Sequence, residues 1–251
     1  MANNIIVIAT HPDDETLGAG GTLLRHKAEG QRIHWLIVTS MYYRDQGGHP
    51  VTTNHKGQLV LLPEGCRFPE NAPLFNKKFV EQRAKEIMSV SQEYNFDSIT
   101  ELFIPTATVA DQDEICLITK YSKEVERIRP NTVYMPFYGD IHGDHKVACS
   151  TLYSCVKSFR YPSIKNVYMM ETISETEYAM PGQSFQFAPN RFVCIDEWFE
   201  KKISICKIFA SEMSRHPMPR SEGCIRAQAL LRGSFAQCRY AEAFMVAREI
   251  V

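Results

Sequence analysis

Two short clusters of acids and histidines hold the residues of this chain best suited to chemistry. The first is Ala9-Thr10-His11-Pro12-Asp13-Asp14-Glu15, and the second is Gly139-Asp140-Ile141-His142-Gly143-Asp144-His145. Imidazole and carboxylate together form a borderline-hard ligand set that suits Zn²⁺ and also Fe²⁺. Catalytic zinc is held by three protein ligands, with a fourth position left for water. His11, one aspartate of the Asp13-Asp14 pair and one histidine of the second cluster would complete such a set. The remaining carboxylate and histidine would then be free to move protons. The plainer reading is that the aspartates cap one helix and that His142 and His145 flank the start of another.

The surrounding pattern favours chemistry, because each cluster directly follows an expected strand. Met1 to Thr10 ends in a β-branched run of the kind buried on both faces of a parallel sheet. A helix is expected from about Glu15 to Glu29, closed by Gly30, and Ile33 to Thr39 reads as a second strand. Met41 to Asn76 loses regular spacing, and a loop of that length is either functional or a misread element. Helical spacing returns over Phe79 to Tyr94 and Ile115 to Ile128, with a short strand at Glu101 to Pro105. Thr132 to Phe137 is a further strand, and the turn Tyr138 to Asp144 leads into a helix through Lys157. Asn166 to Glu171 and Arg191 to Ile195 read as strands, and Glu197 to Phe209 as a helix. This alternation predicts one α/β domain over residues 1–251 with a mostly parallel sheet. Ligands of such sheets bind at the carboxyl ends of the strands, so both clusters should meet at one edge.

The composition narrows the function classes. Of 251 residues, 28 are basic and 29 acidic, a formal charge of −1, which gives no basic excess for nucleic acid or an anionic membrane. The longest apolar runs are strand-length, too short for a membrane span, and no basic residue precedes the first, so it does not read as a signal peptide. Eight scattered cysteines without a CxxC pair argue against a thiolate zinc site and fit a reducing cytosol. Gly18, Gly20 and Gly21 invite a phosphate-binding reading, but Asp13, Asp14 and Glu15 would repel phosphates there. Tight packing of a helix beneath the site explains them better. His26, His34 and His216 read as ordinary core or surface residues, whereas His49 and His55 lie in the long loop, where they could line a pocket.

Taken together, the first cluster with its trailing glycines and the Asp-x-His-x-x-His of residues 140–145 resemble the signatures of the LmbE-like (PIG-L) deacetylase family. Arg83 and Glu86 resemble the Arg-x-x-Glu of its middle helix, and Arg232-Gly233 with Tyr240-Ala241-Glu242-Ala243-Phe244 resembles the end of sugar-modifying members. The resemblance implies a Rossmann-like, three-layer fold and zinc-dependent hydrolysis of an acetamide on an amino sugar or glycoconjugate. It implies one Zn²⁺ per chain on His11, Asp14 and His145, and leaves open Fe²⁺ or another divalent ion. Asp13 would be the general base, His142 the partner of the developing oxyanion, and Asp144 the residue that orients His142. Arg83 would hold a substrate oxygen or phosphate; a surface salt bridge with Glu86 is the competing reading. The partner would be a small N-acetylated sugar in the cytoplasm, with a homo-oligomer left open. The segment 41–76 departs from the family pattern after Thr39-Ser40, which leaves the particular sugar unassigned.

In the mechanism this implies, Asp13 accepts the proton of a metal-activated water, and Asp144 keeps His142 protonated near pH 7. Two rivals are a non-haem Fe(II) oxygenase, for which His11-Pro12-Asp13 with a distant histidine would serve as a facial triad, and a non-catalytic metal-containing binding protein. The oxygenase reading expects a jelly roll of short alternating strands.

Overall fold

The computed structural model describes residues 3–181 and 186–251. Its centre is the first apolar run: Ile5 to Ala9 of β1 (Asn4–Ala9) are 0% exposed. Burying each large aliphatic side chain contributes roughly 1.5–3 kcal/mol before entropy is counted, so such a strand belongs between two covered faces. On one face, Ile5, Val7 and Ala9 pack with Leu23 of α1 (Asp14–Ala28) and with Ile87 and Val90 of α2 (Lys77–Tyr94). On the other, Ile6 and Ile8 pack with Leu117 and Tyr121 of α3 (Glu114–Ile128) and Leu152 of α4 (Gly143–Tyr153). This is the expected three-layer α/β arrangement.

Parallel pairing joins β1 to β2 (Arg32–Ser40) and to β7 (Thr132–Met135), and β2 continues outward to β6 (Ser98–Pro105). Beyond β7 lie β8 (Asn166–Met170), β10 (Ala241–Glu249) and β9 (Arg191–Cys194). The sheet order is therefore β6-β2-β1-β7-β8-β10-β9, with β10 antiparallel to both neighbours. The chain leaves β1 towards β2 and β6 and then returns to β7 on the opposite side of β1. Such a reversal opens a crevice at the carboxyl ends of the two strands. The two motifs begin where β1 and β7 end.

The segment 41–76 is less irregular than its sequence suggests. It holds a small antiparallel sheet of β3 (Tyr43–Arg44), β4 (Pro50–Thr53) and β5 (Leu59–Leu61). These strands are two to four residues long, too short to display a period. The helix α6 (Glu222–Ala236), which follows α5 (Phe199–Cys206), and the strand β10 carried no expectation either. The expected α4 ends at Tyr153, not Lys157.

The glycines of α1 serve packing, as expected. A Cβ on Gly18 would stand 2.8 Å from Met170 Cβ, and one on Gly21 would stand 2.7 Å from Ile195. The Glu242 carboxylate accepts from the amides of Gly21 (2.9 Å) and Thr22 (2.7 Å) and from Lys202 Nζ (2.7 Å). A buried acid and lysine thus tie β10 and α5 to the middle of α1, the helix that begins at the first motif.

One cysteine expectation is corrected. Cys194 and Cys238 form a disulfide with a Cα–Cα distance of 6.1 Å, and the other six are free. A separation of 44 residues gives no local signal of the pairing; Cys194 ends β9 opposite Ala241, and Cys238 lies three residues before that strand. Among the described residues no helix is long and apolar enough to cross a membrane.

Candidate active site

The first motif is a tight turn between β1 and α1. The amide of His11 donates to Asp14 Oδ2 (2.8 Å), and the Asp13 carbonyl accepts from Thr16 and Leu17 as the helix starts. Asp13 occupies φ 148°, ψ −23°, a conformation L-residues rarely adopt. Such outliers cost about 1–3 kcal/mol and survive only where their surroundings fix them. Here Glu15 accepts from the Asp13 amide (3.1 Å), and Arg83 donates to the Pro12 carbonyl (2.8 Å).

The second motif starts α4, with His142 as its N-cap. His142 Nδ1 accepts from the Asp144 amide at 3.1 Å. The capping reading of this cluster therefore holds for His142.

His11, Asp14 and His145 converge from the two strand ends, as anticipated. His11 Nδ1 stands 3.2 Å from His145 Nε2, His145 Nε2 stands 3.3 Å from Asp14 Oδ2, and His11 Nδ1 stands 4.0 Å from the same oxygen. Tetrahedral ligands about 2.0–2.1 Å from a zinc ion lie about 3.3 Å apart, so the spacing fits a divalent cation. The polar balance fits as well. His145 Nδ1 lies 2.9 Å from Asp140 Oδ2, which holds the ring with Nε2 towards His11 and Asp14, and Asp14 Oδ1 is buried without a hydrogen-bond partner among the described residues. A second set, His11, His142 and Asp144, is also close enough to share an ion.

Each convergent histidine has a carboxylate behind it. Asp140 backs His145 and is itself held by the Thr176 hydroxyl (2.7 Å). Asp144 Oδ2 stands 3.3 Å from His11 Nε2 and accepts from the Ala107 amide (2.7 Å), while Oδ1 accepts from Val109 (3.1 Å). Asp144 thus meets His142 through its amide, and its carboxylate is committed to His11. The expected imidazolium is corrected in turn. Burial, reinforced by His11, lowers the His142 pKa to about 4 and outweighs Asp144, so the ring is neutral at pH 7. With Nδ1 accepting, the proton of the neutral ring sits on Nε2.

The adjacent aspartates are pulled in opposite directions. Burial raises Asp13 to about 8 against the pull of Arg220, and the Asp14 charge adds to the rise. Asp14 is as deeply buried, but His145 and His11 overcome that cost and hold it well below the usual carboxylate range. Glu15 is pushed to about 8 by burial. Two neighbouring acids with divergent environments are the pattern of separate acid–base and charge-bearing roles.

A cavity of about 230 Å³ opens onto His11, Asp13 and His142, small beside typical ligand pockets of roughly 300–1,000 Å³. One wall is apolar, built by Met41, Phe75, Val80, Ala84 and Ile87; Thr39, Ser40, Thr52, Thr53 and Glu101 form a polar wall. Arg83 lines it too, but as a buried brace. Its guanidinium meets the Pro12 carbonyl, Ser211, Glu212 and Glu86 and lies over the Phe209 ring. The Glu86 pair is present but buried, not the surface bridge weighed against it.

Arg220 is the residue that the sequence did not announce. Its Nη1 donates to Asp13 Oδ2 (2.6 Å) and Glu212 Oε2 (3.0 Å), and Nη2 stands 3.4 Å from Glu175. It lies 207 positions from Asp13, outside both clusters. Asp140, by contrast, already stands in the second motif, five residues before His145.

Residues 6–156 match the family model described as PIG-L: GlcNAc-PI de-N-acetylase. Diacetylchitobiose deacetylase of Thermococcus kodakarensis is 23% identical over 239 residues, covering 95% of this chain and 80% of the relative. The solved N,N'-diacetylchitobiose deacetylase of Pyrococcus horikoshii, complexed with its inhibitor MPG, superposes with a TM-score of 0.71 at 17% identity, over 98% of this chain and 84% of that one. GalB, the 4-carboxy-2-hydroxymuconate hydratase of Pseudomonas putida, superposes with a TM-score of 0.66 at 16% identity, over 99% and 98%. A hydratase among the neighbours means that the fold does not choose the chemistry; the site must.

Proposed function

Because the chain belongs to the PIG-L family, we propose that it is a zinc-dependent hydrolase that removes the acetyl group from an N-acetylated amino sugar or glycoconjugate. The carrying observation is the convergence of His11, Asp14 and His145 beside an aspartate whose environment is opposite to that of its neighbour. Two imidazoles and one carboxylate are a donor set of catalytic zinc. Bound there, the ion would lower the pKa of water to near 7 and polarise the acetamide carbonyl.

The chain's own groups do the rest. Asp13 Oδ2 is held by Arg220, while Oδ1 has no partner among the described residues, so Oδ1 takes the proton of the attacking water. Neutral His142 offers Nε2–H to the oxygen that gains charge as the tetrahedral carbon forms. The C–N bond then breaks, and protonated Asp13 returns its proton to the leaving nitrogen. A carboxyl group raised to about 8 can act in both directions near neutral pH. Acetate and a free amine are the products. Asp140 and Asp144 fix the rings of His145 and His11, as carboxylates behind ligand histidines do. Arg83 is assigned to bracing the Pro12 carbonyl rather than to gripping substrate. The parallel sheet is not the jelly roll that the iron-oxygenase reading expected.

A screen of N-acetylglucosamine and its glycosides, read as free amine and acetate after chelation and again after zinc is restored, tests the reading. Zinc-dependent release is expected; zinc-loaded protein that releases amine from none of them would overturn it and favour a binding protein. His142→Ala should keep its metal and lose about 10²–10³ in kcat. Loss of metal instead would move His142 into the ligand set with His11 and Asp144. Asp140→Asn should weaken zinc binding about 10–100-fold in a competition titration, because only the orientation and basicity of His145 change.

A further inference from the structure

We infer that Glu101 reads the part of the substrate beyond the acetamide, selecting an uncharged, hydroxyl-bearing sugar and rejecting one that carries a phosphate. The inference rests on the deacetylase reading above for its substrate class, but on separate residues for its argument.

Glu101 belongs to neither motif, yet it lines the cavity while its side chain is only 2% exposed. The ladder beside it is irregular. In the β2–β6 ladder Ile37 pairs with Glu101 and Thr39 with Ile104, so β6 carries one residue more than β2 across that interval. Phe103, inside the bulge, has φ 56°, and its carbonyl is held by the Tyr42 hydroxyl (2.8 Å). Bulges re-aim side chains next to sites, and a bulky residue at positive φ persists only where its surroundings impose it.

The two oxygens of Glu101 differ. Oε2 accepts from the amide (3.1 Å) and Nδ1 (2.5 Å) of His55, at the tip of the β4–β5 hairpin. Oε1 has no hydrogen-bond partner among the described residues. A buried carboxylate with one oxygen anchored and the other open to a cavity is an acceptor for ligand hydroxyls. Thr52 and Thr53 of the same hairpin add hydroxyls to that wall. The apolar residues of the lining suit the carbon face of a sugar ring.

Charge supplies the exclusion. The cavity is lined by the acids Glu101 and Glu212, and by Asp13 and Glu175, whose burial favours the neutral form. Its two guanidinium groups are already engaged: Arg220 by Asp13, Glu175 and Glu212, Arg83 by Glu86 and Glu212. A phosphate would face the open oxygen of Glu101, whose other oxygen already engages His55, and both guanidinium groups of the lining are spent on other acids. A like charge placed against a ligand is an effective device for specificity.

The test compares the methyl glycoside of N-acetylglucosamine with N-acetylglucosamine 1-phosphate, which share ring and acetamide and differ in charge. Binding is measured calorimetrically on metal-free protein, so that phosphate–metal contacts do not intrude, and amine release on zinc-loaded protein. The parent should bind the glycoside at least about 10-fold more tightly, the scale of a hydrogen bond to a charged group. Glu101→Gln should raise Kd and KM for the glycoside, leave kcat within about twofold, and shrink the glycoside-to-phosphate ratio. His55→Ala, which loosens the hairpin but keeps the carboxylate, should preserve the ratio. Equal losses on both ligands in Glu101→Gln, with the ratio unchanged, would mean that Glu101 only pins the hairpin, and the inference falls. A parent that prefers the phosphate also overturns it. If zinc-loaded parent releases amine from neither sugar, the deacetylase reading fails by itself, and the binding ratio still decides the role of Glu101.

Discussion

Asp14→Asn should leave a folded chain that has lost its zinc and, with it, its deacetylase activity. Asp14 Oδ2 faces the His11 amide at 2.8 Å and His145 Nε2 at 3.3 Å, and Oδ1 is a buried acceptor without a partner. An amide in its place removes the negative charge. It also sets an N–H₂ group where a lone pair is needed, against a His145 whose Nδ1 already donates to Asp140. Outer-shell partners are worth about 10–100-fold in metal affinity, so loss of the only charged ligand should cost more than about 100-fold. Elemental analysis after dialysis against a weak chelator should find much less than one zinc per chain, as it should for His145→Ala. Excess zinc should restore part of the activity in Asp14→Asn. Full retention of metal would mean that the ion sits in the alternative set of His11, His142 and Asp144.

That two neighbouring sets exist shows how far the sequence could reach. The motifs locate the site because each follows a parallel strand, and β1 and β7 adjoin at the point where the strand order reverses. A tight turn cannot present both carboxylates to one ion in the same way, but which aspartate is the ligand came from the family resemblance and not from the residue types. Which atom of Asp144 meets His142 was not legible. A carboxylate next to a histidine in sequence suggests an ion pair, yet N-capping directs the amide to His142 and leaves the carboxylate to His11. The neutral state of His142 follows from burial, which no local pattern encodes. Arg220 was hidden for another reason. Its partner Asp13 is 207 residues away, and such a pairing is a product of packing. The small sheet β3–β5 escaped because its strands are too short for a period of two to be seen, and with it went the hairpin that brings His55 to Glu101.

Asp13→Asn should separate binding from proton transfer. The variant should fold, because Asn tolerates positive φ better than most residues and its side-chain carbonyl can still accept from Arg220. It should carry one zinc, because the convergent atoms of His11, Asp14 and His145 are untouched. Its rate should fall about 10²–10⁴-fold, the usual cost of a lost general base. Added zinc should not help. The acidic limb of the parent's pH–rate profile comes from protonation of Asp13, so residual activity in the variant should lack it. Stability of the metal-free protein gives a second readout with a definite sign. Burial raises Asp13 from 3.8 to about 8, so the folded state holds this proton more tightly than the unfolded chain does. The contribution of Asp13 to stability therefore declines as pH rises from about 4 to about 8. The Asp13 charge is one cause of the rise of Glu15 to about 8, so Asp13→Asn eases that rise as well. The melting temperature of metal-free Asp13→Asn should accordingly fall less steeply over that window than the parent's. If Asp13→Asn loses its zinc while Asp14→Asn keeps it, base and ligand must be exchanged.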